Sequence, residues 1–300
     1  MRTSTSPFLH LFRLPVILAI WGLLLLSPSL SAQLVFDWPV RADPGPEALL
    51  TGASAALWNP GGLAHSSGAG NDVWVIHVDG PDATGIRGFA AAASIDLPYP
   101  GGRAAVAYQH LGITDITRTS TSPEPDPGRI SVAEDVAVIS LAHDLASYGG
   151  IGAGFRYQRA TAGNEARASS SGRVGFTVHP SLPLHPRVGV VLLGLGSDPG
   201  IMGGVEVSLP RIESFQLRTA YGIGIDLGPA EAEHRLSLKG IWRSNYRIGM
   251  GVTRQPDGNG WTGLWSLGAD FGRYSFSVLR EGMPNDFGAV HFYRAAIRFW

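Results

Sequence analysis

The sequence predicts an all-β protein, a transmembrane antiparallel β-barrel of about 14 strands with a short N-terminal plug segment inside the lumen. Three observations predict this class. Long stretches after residue 72 alternate between apolar and small or polar residues, clusters of Pro and Gly separate the stretches, and the chain ends in an amphipathic stretch closed by an aromatic residue. The 300 residues include 40 Gly and 21 Pro but only 16% charged residues, against roughly 25% in an ordinary soluble domain.

The composition excludes several classes of site. A formal net charge of −1 gives no basic surface for a nucleic acid. Without Cys, the chain has no disulfide, no thiolate nucleophile and no Cys-based zinc or iron–sulfur site. Among the 23 Lys and Arg residues only Lys239 is a lysine. This bias reflects either genomic base composition or lumenal arginines that bind anionic head groups in bidentate fashion.

Residues 1–32 have the pattern of a secretory signal peptide. Arg2 and Arg13 lie in a start without acidic residues, residues 14–26 are apolar, and small residues up to Ala32 supply the cleavage site. The apolar core of about 13 residues is shorter than the roughly 20 that a spanning helix needs, which favours cleavage over a retained anchor. No later apolar run is long enough either, so we expect no transmembrane helix in the mature chain.

Residues 33–71 precede the alternating region and predict the plug, or hatch. Residues 49–64 begin with small and apolar side chains that can form one or two helical turns. They then reach a break, where Pro lacks an N–H and Gly permits positive φ. The segment is too apolar for an exposed tail and too short for a domain, so we expect it inside the mouth of the barrel. The predicted hatch residues are Leu57, Trp58, Asn59, Pro60, Gly61 and Gly62.

Residues 72–300 predict the barrel itself. Period-two alternation places one set of residues on each face of a strand. Divided among 14 strands, this stretch allows about 16 residues for each strand and its connection, enough for the roughly 9–11 of a tilted membrane strand. The predicted strands are approximately 73–79, 85–96, 102–113, 131–144, 149–160, 167–179, 187–196, 202–209, 213–226, 232–243, 245–254, 261–272, 273–281 and 287–300.

The energy of a charge in lipid decides which face points inward. On the exterior of a barrel, a charge at the bilayer midplane costs about 2–4 kcal/mol, so the charged face must line the lumen. The predicted lumen-facing residues are Arg156, Arg218, Lys239 and Asp270. The predicted lipid-facing aromatic residues are Tyr221, Trp242, Trp261, Trp265 and Phe271. A soluble sandwich or propeller also alternates, but the chain lacks the repeat of a propeller.

The last stretch is typical of the terminal strand by which outer-membrane barrels are recognised for insertion. One of its faces is apolar and aromatic, and the other carries Arg294 and Arg298. Trp300 shares its parity with the arginines, so Phe299 is the alternative lipid-facing residue. The predicted membrane-assembly terminus consists of Tyr293, Ile297, Phe299 and Trp300.

The block at residues 53–64, ASAALWNPGGLA, resembles the N-terminal motif of the FadL-type outer-membrane transport superfamily and most closely its PorV/PorQ-like branch. The resemblance implies a 14-stranded barrel with an N-terminal hatch in the lumen, and it implies hatch roles for Asn59, Pro60 and Gly61. The chain departs from the motif at Gly61, where Ala is usual, and at Ala53, where an acidic residue is expected. No ligand contact carries over.

Motifs for catalysis and for metal binding are absent. The glycines around Ser54 do not form a nucleophile elbow. The run at residues 150–154 is not a dinucleotide-binding loop, because it lies in an alternating stretch whose glycines we expect to face the lumen. The nine His residues are scattered. A catalytic triad assembled from separate strands stays open, because a triad is a spatial arrangement. We expect no enzyme activity, no catalytic residue, no metal and no cofactor.

The predicted function is passive transport of hydrophobic or amphipathic small molecules across the bacterial outer membrane. Its mechanism would be capture in an apolar pocket, movement of the hatch near Asn59 and Pro60, and exit through the lumen or sideways. The alternative is a PorV-like partner protein in type IX secretion that docks cargo on external loops such as residues 117–130. A third interpretation is a secreted soluble β-protein. The expected partners are outer-membrane lipid, the barrel-assembly machinery, and a hydrophobic ligand or secretion proteins, with no nucleic acid.

Overall fold

The computed structural model describes residues 40–41, 43–64, 71–117, 129–197, 199–227, 232–254, 260–283 and 288–299. The predicted signal peptide, most of the loop at 117–130 and Trp300 lie outside the described residues. None of the described helices has the length and apolar character needed to cross a membrane.

Fourteen antiparallel strands form one closed sheet. β1 pairs with β14 from Asn71 opposite Phe299 to Asp79 opposite His291, and every other strand pairs with its neighbours in sequence. The closed barrel confirms the predicted fold class and strand number. The strands are β1 Asn71–Asp79, β2 Ile86–Asp96, β3 Gly102–Thr117, β4 Arg129–Asp144, β5 Gly149–Ala162, β6 Glu165–Val178, β7 Arg187–Leu195, β8 Gly200–Ser208, β9 Phe215–Asp226, β10 Ala232–Trp242, β11 Tyr246–Arg254, β12 Trp261–Phe271, β13 Tyr274–Gly282 and β14 Ala289–Phe299.

The barrel has two distinct ends. We call the end where β1 begins and β14 ends the proximal end, and the opposite end the distal end. A turn of two residues joins β12 to β13 at the proximal end, where Gly272 has a φ of 59° that favours glycine. Two further 3-10 turns lie in connections, η4 at Asp82–Thr84 at the distal end and η5 at Ala146–Tyr148 at the proximal end.

The outer surface of the barrel carries the aromatic residues. Five aromatic side chains that the alternation assigns to lipid are between 41% and 58% exposed. They are Tyr221, Trp242, Trp261, Trp265 and Phe271. This exposure agrees with the outward orientation that the alternation predicts for them.

The N-terminal segment, residues 40–64, lies inside the barrel and is called the hatch below. It contains three short 3-10 turns, η1 Glu47–Leu49, η2 Gly52–Leu57 and η3 Pro60–Leu63. The break expected at Asn59 spans only two residues, Trp58 and Asn59, because Pro60 begins η3 instead of ending all regular structure. The first position of a helical turn does not need the N–H that Pro lacks.

The apolar core is formed between the hatch and one side of the barrel wall. Its side chains come from β1 to β4, from β12 to β14 and from Val40, η2 and η3 of the hatch. The largest of its fully buried members are Trp74, Phe292, Leu63, Leu279, Val40, Val78, Val138 and Val290. The side of the lumen formed by β1 to β4 and β12 to β14 is therefore filled with packed apolar side chains. The side formed by β5 to β11 presents glycines and charged residues.

The strands differ in length around the barrel. β3 and β4 each have 16 residues and β5 and β6 have 14, whereas β7 and β8 have 9. Pairing between β6 and β7 begins only at Gly172 opposite Leu195. The edge of β6 at residues 165–171 consequently has no strand partner on the β7 side among the described residues.

Candidate functional site: the hatch, its seat and the lumen

Glycines on β5 to β7 form the seat of the hatch. They are Gly150, Gly152, Gly175 and Gly189. A Cβ atom added at Gly189 would lie 1.9 Å from the carbonyl oxygen of Ala48, and one added at Gly175 would lie 2.0 Å from Oδ1 of Asn59. The hatch backbone approaches the wall this closely only because these positions carry no side chain. Alternation identified the glycines at 150–154 as lumen-facing, but it held no information on what they contact.

Asn59 joins three parts of the structure. Its side chain is fully buried. Nδ2 donates to the carbonyl oxygen of Ala48 at 2.5 Å and to that of Phe176 at 3.3 Å, and Oδ1 accepts a hydrogen bond from the backbone N–H of Gly61 at 3.0 Å. One amide thereby connects η1, η3 and β6. Loss of such buried partners typically costs about 1–3 kcal/mol for each group left unsatisfied.

Wall side chains satisfy carbonyl groups that the short turns leave free. Arg173 donates to the carbonyl oxygen of Leu57, and the hydroxyl of Thr177 donates to that of Gly61 at 3.1 Å. Buried backbone carbonyls need such partners.

The six predicted hatch residues lie together against β5 and β6. Five of them are buried and Trp58 is partly exposed. The buried five are Leu57, Asn59, Pro60, Gly61 and Gly62.

A charged network holds the first part of the hatch, the residues around Arg41 and Glu47, against the barrel wall. Glu47 lies between Arg41 and Arg235 and accepts hydrogen bonds from both guanidinium groups. Arg41 also pairs with Glu281 on β13, with its Nε 3.3 Å from Oε2, and Arg235 pairs with Glu233. The side chains of Arg41, Arg235 and Glu281 are at most 4% exposed. Arg41 and Glu281 are 240 residues apart and Glu47 and Arg235 are 188 apart, so no local pattern predicts that the network forms.

The network shifts the pKa of hatch carboxyl groups. Burial in the lumen would raise the pKa of Glu47, but the guanidinium groups of Arg235 and Arg41 outweigh burial and lower the pKa to about 2. Burial would likewise raise the pKa of Asp43, but the ammonium group of Lys239 lowers it to about 2. Both carboxylates are therefore ionised, and bonded to the wall, at any neutral pH.

Acid should release the first part of the hatch. Both carboxyl groups titrate lower in the seated hatch than in a freely hydrated chain, where their pKa values are near 4.5 for Glu47 and 3.8 for Asp43. Their contribution to seating is complete above about pH 4.5 and is lost as the pH falls toward 2. We expect channel conductance in a planar bilayer to rise reversibly across that interval. In Glu47→Gln the acid response should shrink, and an unchanged response would contradict this role.

The four predicted lumen-facing residues are distributed over two regions of the inner wall. Lys239 pairs with Asp43 of the hatch, and Asp270 lies 3.0 Å from Nη2 of Arg247. Arg218 lies 3.6 Å from Glu206. All three line the proximal half of the lumen. Arg156, which lies 3.7 Å from Glu134, instead belongs to a second region on the other side of the hatch.

Two cavities flank the hatch. The larger, of about 440 Å³, extends from the hatch to the proximal turns at Ser244 and Gly272. The smaller, of about 110 Å³, lies against Leu193 and Met202. Pro46 and Trp58 line both cavities, so this part of the hatch separates them. The apolar pocket expected for capture is not the larger cavity, which is lined mainly by charged and polar residues because the apolar wall is already covered by η2 and η3.

The predicted assembly terminus lies on β14, the strand that closes the barrel. Tyr293 and Phe299 are 45% and 42% exposed on the outer surface, and Ile297 lies on the same face between them. Ile297 pairs with Val73 on one side and Tyr274 on the other.

No group of three or more His, Asp or Glu side chains in the described part of the chain could hold a metal ion. No family model matches the sequence, and no curated protein matches it.

Several solved structures that resemble the barrel are described as toluene transporters or monoaromatic hydrocarbon channels. The toluene transporter TbuX of Ralstonia pickettii superimposes with a TM-score of 0.58 at 10% identity, covering 83% of this chain and 94% of that one. The chain has the fold of the FadL-type barrels. The toluene transporter TodX of Pseudomonas putida gives a TM-score of 0.57 at 12% identity, over 89% of this chain and 99% of that one. A FadL homologue of Pseudomonas aeruginosa gives 0.52 at 10% identity, over 89% and 97%.

These FadL-type structures agree with the resemblance at the level of the superfamily fold. They do not address the PorV/PorQ-like branch, which stays a prediction from the motif at residues 53–64.

Proposed function

We propose that the protein is a non-enzymatic channel of the bacterial outer membrane that transports hydrophobic or amphipathic small molecules passively. The observation that carries the proposal is a hatch seated inside a closed 14-strand barrel, with a cavity on each side of it. The fold shared with toluene transporters and with a FadL homologue supports this class of cargo. In this proposal the proximal end faces the periplasm and the distal end faces the exterior.

The part of the hatch that moves is residues 43–50. Residues 52–64 are anchored, because η2 and η3 are packed into the apolar core and the Asn59 amide is fully bonded. Residues 43–50 are held by ion pairs, by the contact of Ala48 with Gly189 and by the hydrogen bond from Asn59 Nδ2 to the Ala48 carbonyl oxygen. Water can hydrate these ionic and polar groups when they separate, whereas withdrawal of the apolar core exposes hydrocarbon to water. We therefore assign the movement to residues 43–50 and not to the region of Asn59 and Pro60, where the sequence predicts it.

A bulge in the wall supports a sideways route for apolar cargo. Between Gly172 and Val174 of β6, the facing strand β7 inserts an extra residue, and Gly194 there has a φ of 63°. Leu193 of the bulge lines the smaller cavity. Bulges bend a strand and interrupt its ladder of hydrogen bonds. Cargo that reaches this cavity has only a locally weakened wall between it and the bilayer.

Removal of the hatch tests the proposal. Two variants are compared with the intact protein, a deletion of residues 45–64 and a replacement of residues 43–50 by a Gly-Ser linker of equal length. Both should increase permeation of a polar sugar into proteoliposomes several-fold, because the segment separating the cavities is gone. Uptake of radiolabelled toluene by cells measures transport of the proposed cargo.

The control is the heat-modifiable gel shift of a folded barrel, which both variants should keep. Unchanged sugar permeation in a folded variant would contradict the role of the hatch. If cells that carry the intact protein take up toluene no faster than cells that lack it, the proposed class of cargo is contradicted.

A second function, that of a partner protein in type IX secretion, is favoured by one observation. The sheet formed by β3 to β6 extends beyond β7 and β8, so that the β7-side edge of residues 165–171 has no strand partner within the described part of the chain. An exposed strand edge can accept a strand from another protein. Isolation of a stable complex with secretion proteins from membranes, lost in Ser169→Pro, would favour this function over transport.

A further inference from the structure

The larger cavity has an excess of positive charge. Its lining contains eight basic residues and four acidic ones. The basic residues are Arg41, Arg187, Arg218, Lys239, Arg247, Arg273, Arg294 and Arg298, and the acidic residues are Asp43, Asp72, Glu206 and Asp270. Like charges gathered in an enclosed, partly desolvated space repel one another unless an anion joins them.

The acidic residues of the cavity are already occupied by other partners. Asp43 pairs with Lys239, and Asp270 pairs with Arg247. Glu206 is shared by Arg187 and Arg218. The remaining acid, Asp72, accepts hydrogen bonds from the Ser94 hydroxyl and from the backbone N–H of Ala53.

Arg273, Arg294 and Arg298 are left over from this pairing, and Arg294 is the one of the three that is not exposed. In the described part of the chain, no carboxylate oxygen lies within 4 Å of its guanidinium group, and its buried Nε has no hydrogen-bond partner. Arg294 is only partly exposed, and withdrawing a cation from water without a carboxylate beside it is unfavourable, which favours a ligand that supplies negative charge.

The neighbours of Arg294 on the inner wall complete a site. Ser277 lies directly opposite Arg294, Gly268 lies opposite Ser277, and Arg247 lies opposite Gly268, so the four occupy one row across β14, β13, β12 and β11. The Ser277 hydroxyl is buried and has no hydrogen-bond partner. A Cβ atom at Gly268 would lie 3.1 Å from Nε of Arg247, which places that guanidinium group over Gly268 and on the side of Arg294.

We propose that Arg294, Ser277 and Arg247 bind a phosphate group in the larger cavity. Phosphate carries up to two negative charges and several strong acceptor oxygens. It can therefore bridge two guanidinium groups and accept the Ser277 hydroxyl at the same time. The phosphate comes either from the free anion or from the head group of a lipid whose chains remain outside the cavity. The site lies wholly on the barrel wall, so it goes beyond the proposed transport function and does not depend on hatch movement.

Calorimetric titration of the full-length protein in neutral detergent tests the site. The probes are inorganic phosphate and lysophosphatidylglycerol, with chloride as the competing anion at fixed ionic strength. Phosphate should bind and protect against thermal unfolding, and Arg294→Gln should weaken its binding about tenfold or more, the effect typical of a charge-assisted hydrogen bond. Ser277→Ala should weaken binding less, and Arg294→Lys should restore it in part.

Arg187→Gln serves as the matched control. It removes one positive charge from the same cavity but from the opposite wall, where the cation is paired with Glu206. It should change phosphate binding by less than about threefold. All variants are checked for the heat-modifiable gel shift. Stronger binding of the lysolipid than of free phosphate assigns the source to a head group, and the reverse assigns it to the free anion. Equal binding to wild type and Arg294→Gln, or no binding of either probe, overturns the site.

Discussion

Replacing Gly189 or Gly175 with Ala should force the hatch off the wall and open the lumen to ions. A Cβ atom at Gly189 would lie 1.9 Å from the Ala48 carbonyl oxygen, and one at Gly175 would lie 2.0 Å from Asn59 Oδ1. Neither distance is tolerable, so hatch or wall must move. Overpacking of this kind typically costs about 1–3 kcal/mol. We expect a several-fold increase in single-channel conductance in planar bilayers, because ion pairs on the hatch yield before the ladder of a closed barrel does.

Gly224→Ala is the matched control for these variants. Gly224 also lines the lumen, but its nearest neighbour to an added Cβ is Cγ of Met202 at 3.8 Å, which is an ordinary contact. The control should conduct like the wild type and should be at least as stable, because Ala restricts the unfolded chain more than Gly. Equal conductance of Gly189→Ala and Gly224→Ala would contradict the glycine seat.

Glu47→Gln should detach the first part of the hatch even at neutral pH. The carboxylate neutralises Arg41 and Arg235, whose side chains are 2% and 3% exposed. Without it the two arginines keep one acidic partner each, Glu281 and Glu233, and breaking a buried ion pair by removing one member costs about 3–5 kcal/mol. We expect raised conductance, together with cleavage within residues 43–50 by a protease added to the proximal side. The two readouts report the same event because both require residues 43–50 to leave the seat.

An exposed ion pair supplies the comparison for this variant. Asp79→Asn removes a carboxylate that lies 3.9 Å from Nε of Arg87. The side chains of Asp79 and Arg87 are 46% and 71% exposed. Pairs of this kind contribute less than about 1 kcal/mol. Conductance and protease resistance should therefore match the wild type. If Glu47→Gln behaved like Asp79→Asn, the network around Glu47 would not hold the hatch.

Much of the barrel follows from local pattern. The stretch at 261–272 alternates so regularly that its strand, its outward Trp261 and Trp265 and its inward Asp270 could all be predicted, and the structure places β12 at Trp261–Phe271. A strand has a period of two whatever its neighbours are, so this information is present in a dozen consecutive residues. The presence of the hatch could also be predicted locally, because an apolar segment that is too short to form its own domain must be buried against the rest of the protein.

The partners of those residues could not be predicted in the same way. Alternation places Lys239 and Arg235 on the inner face of β10, but it cannot tell that one meets Asp43 and the other Glu47. These pairings require the register of every strand, the closure of β1 on β14 and the depth to which the hatch descends. The polar character of the larger cavity could not be predicted for the same reason, because the inward apolar residues of β1 to β4 and β12 to β14 are covered by η2 and η3.

Short-range chemistry thus accounts for the strands, their two faces and the presence of an N-terminal plug, since each depends on residues adjacent in the chain. The glycine seat, the Arg41–Glu47–Arg235 network and the unpaired Arg294 arise from long-range placement. A side chain near residue 41 meets one near residue 281 only after fourteen strands have closed around the segment, and whether a lumenal cation is neutralised depends on that final arrangement.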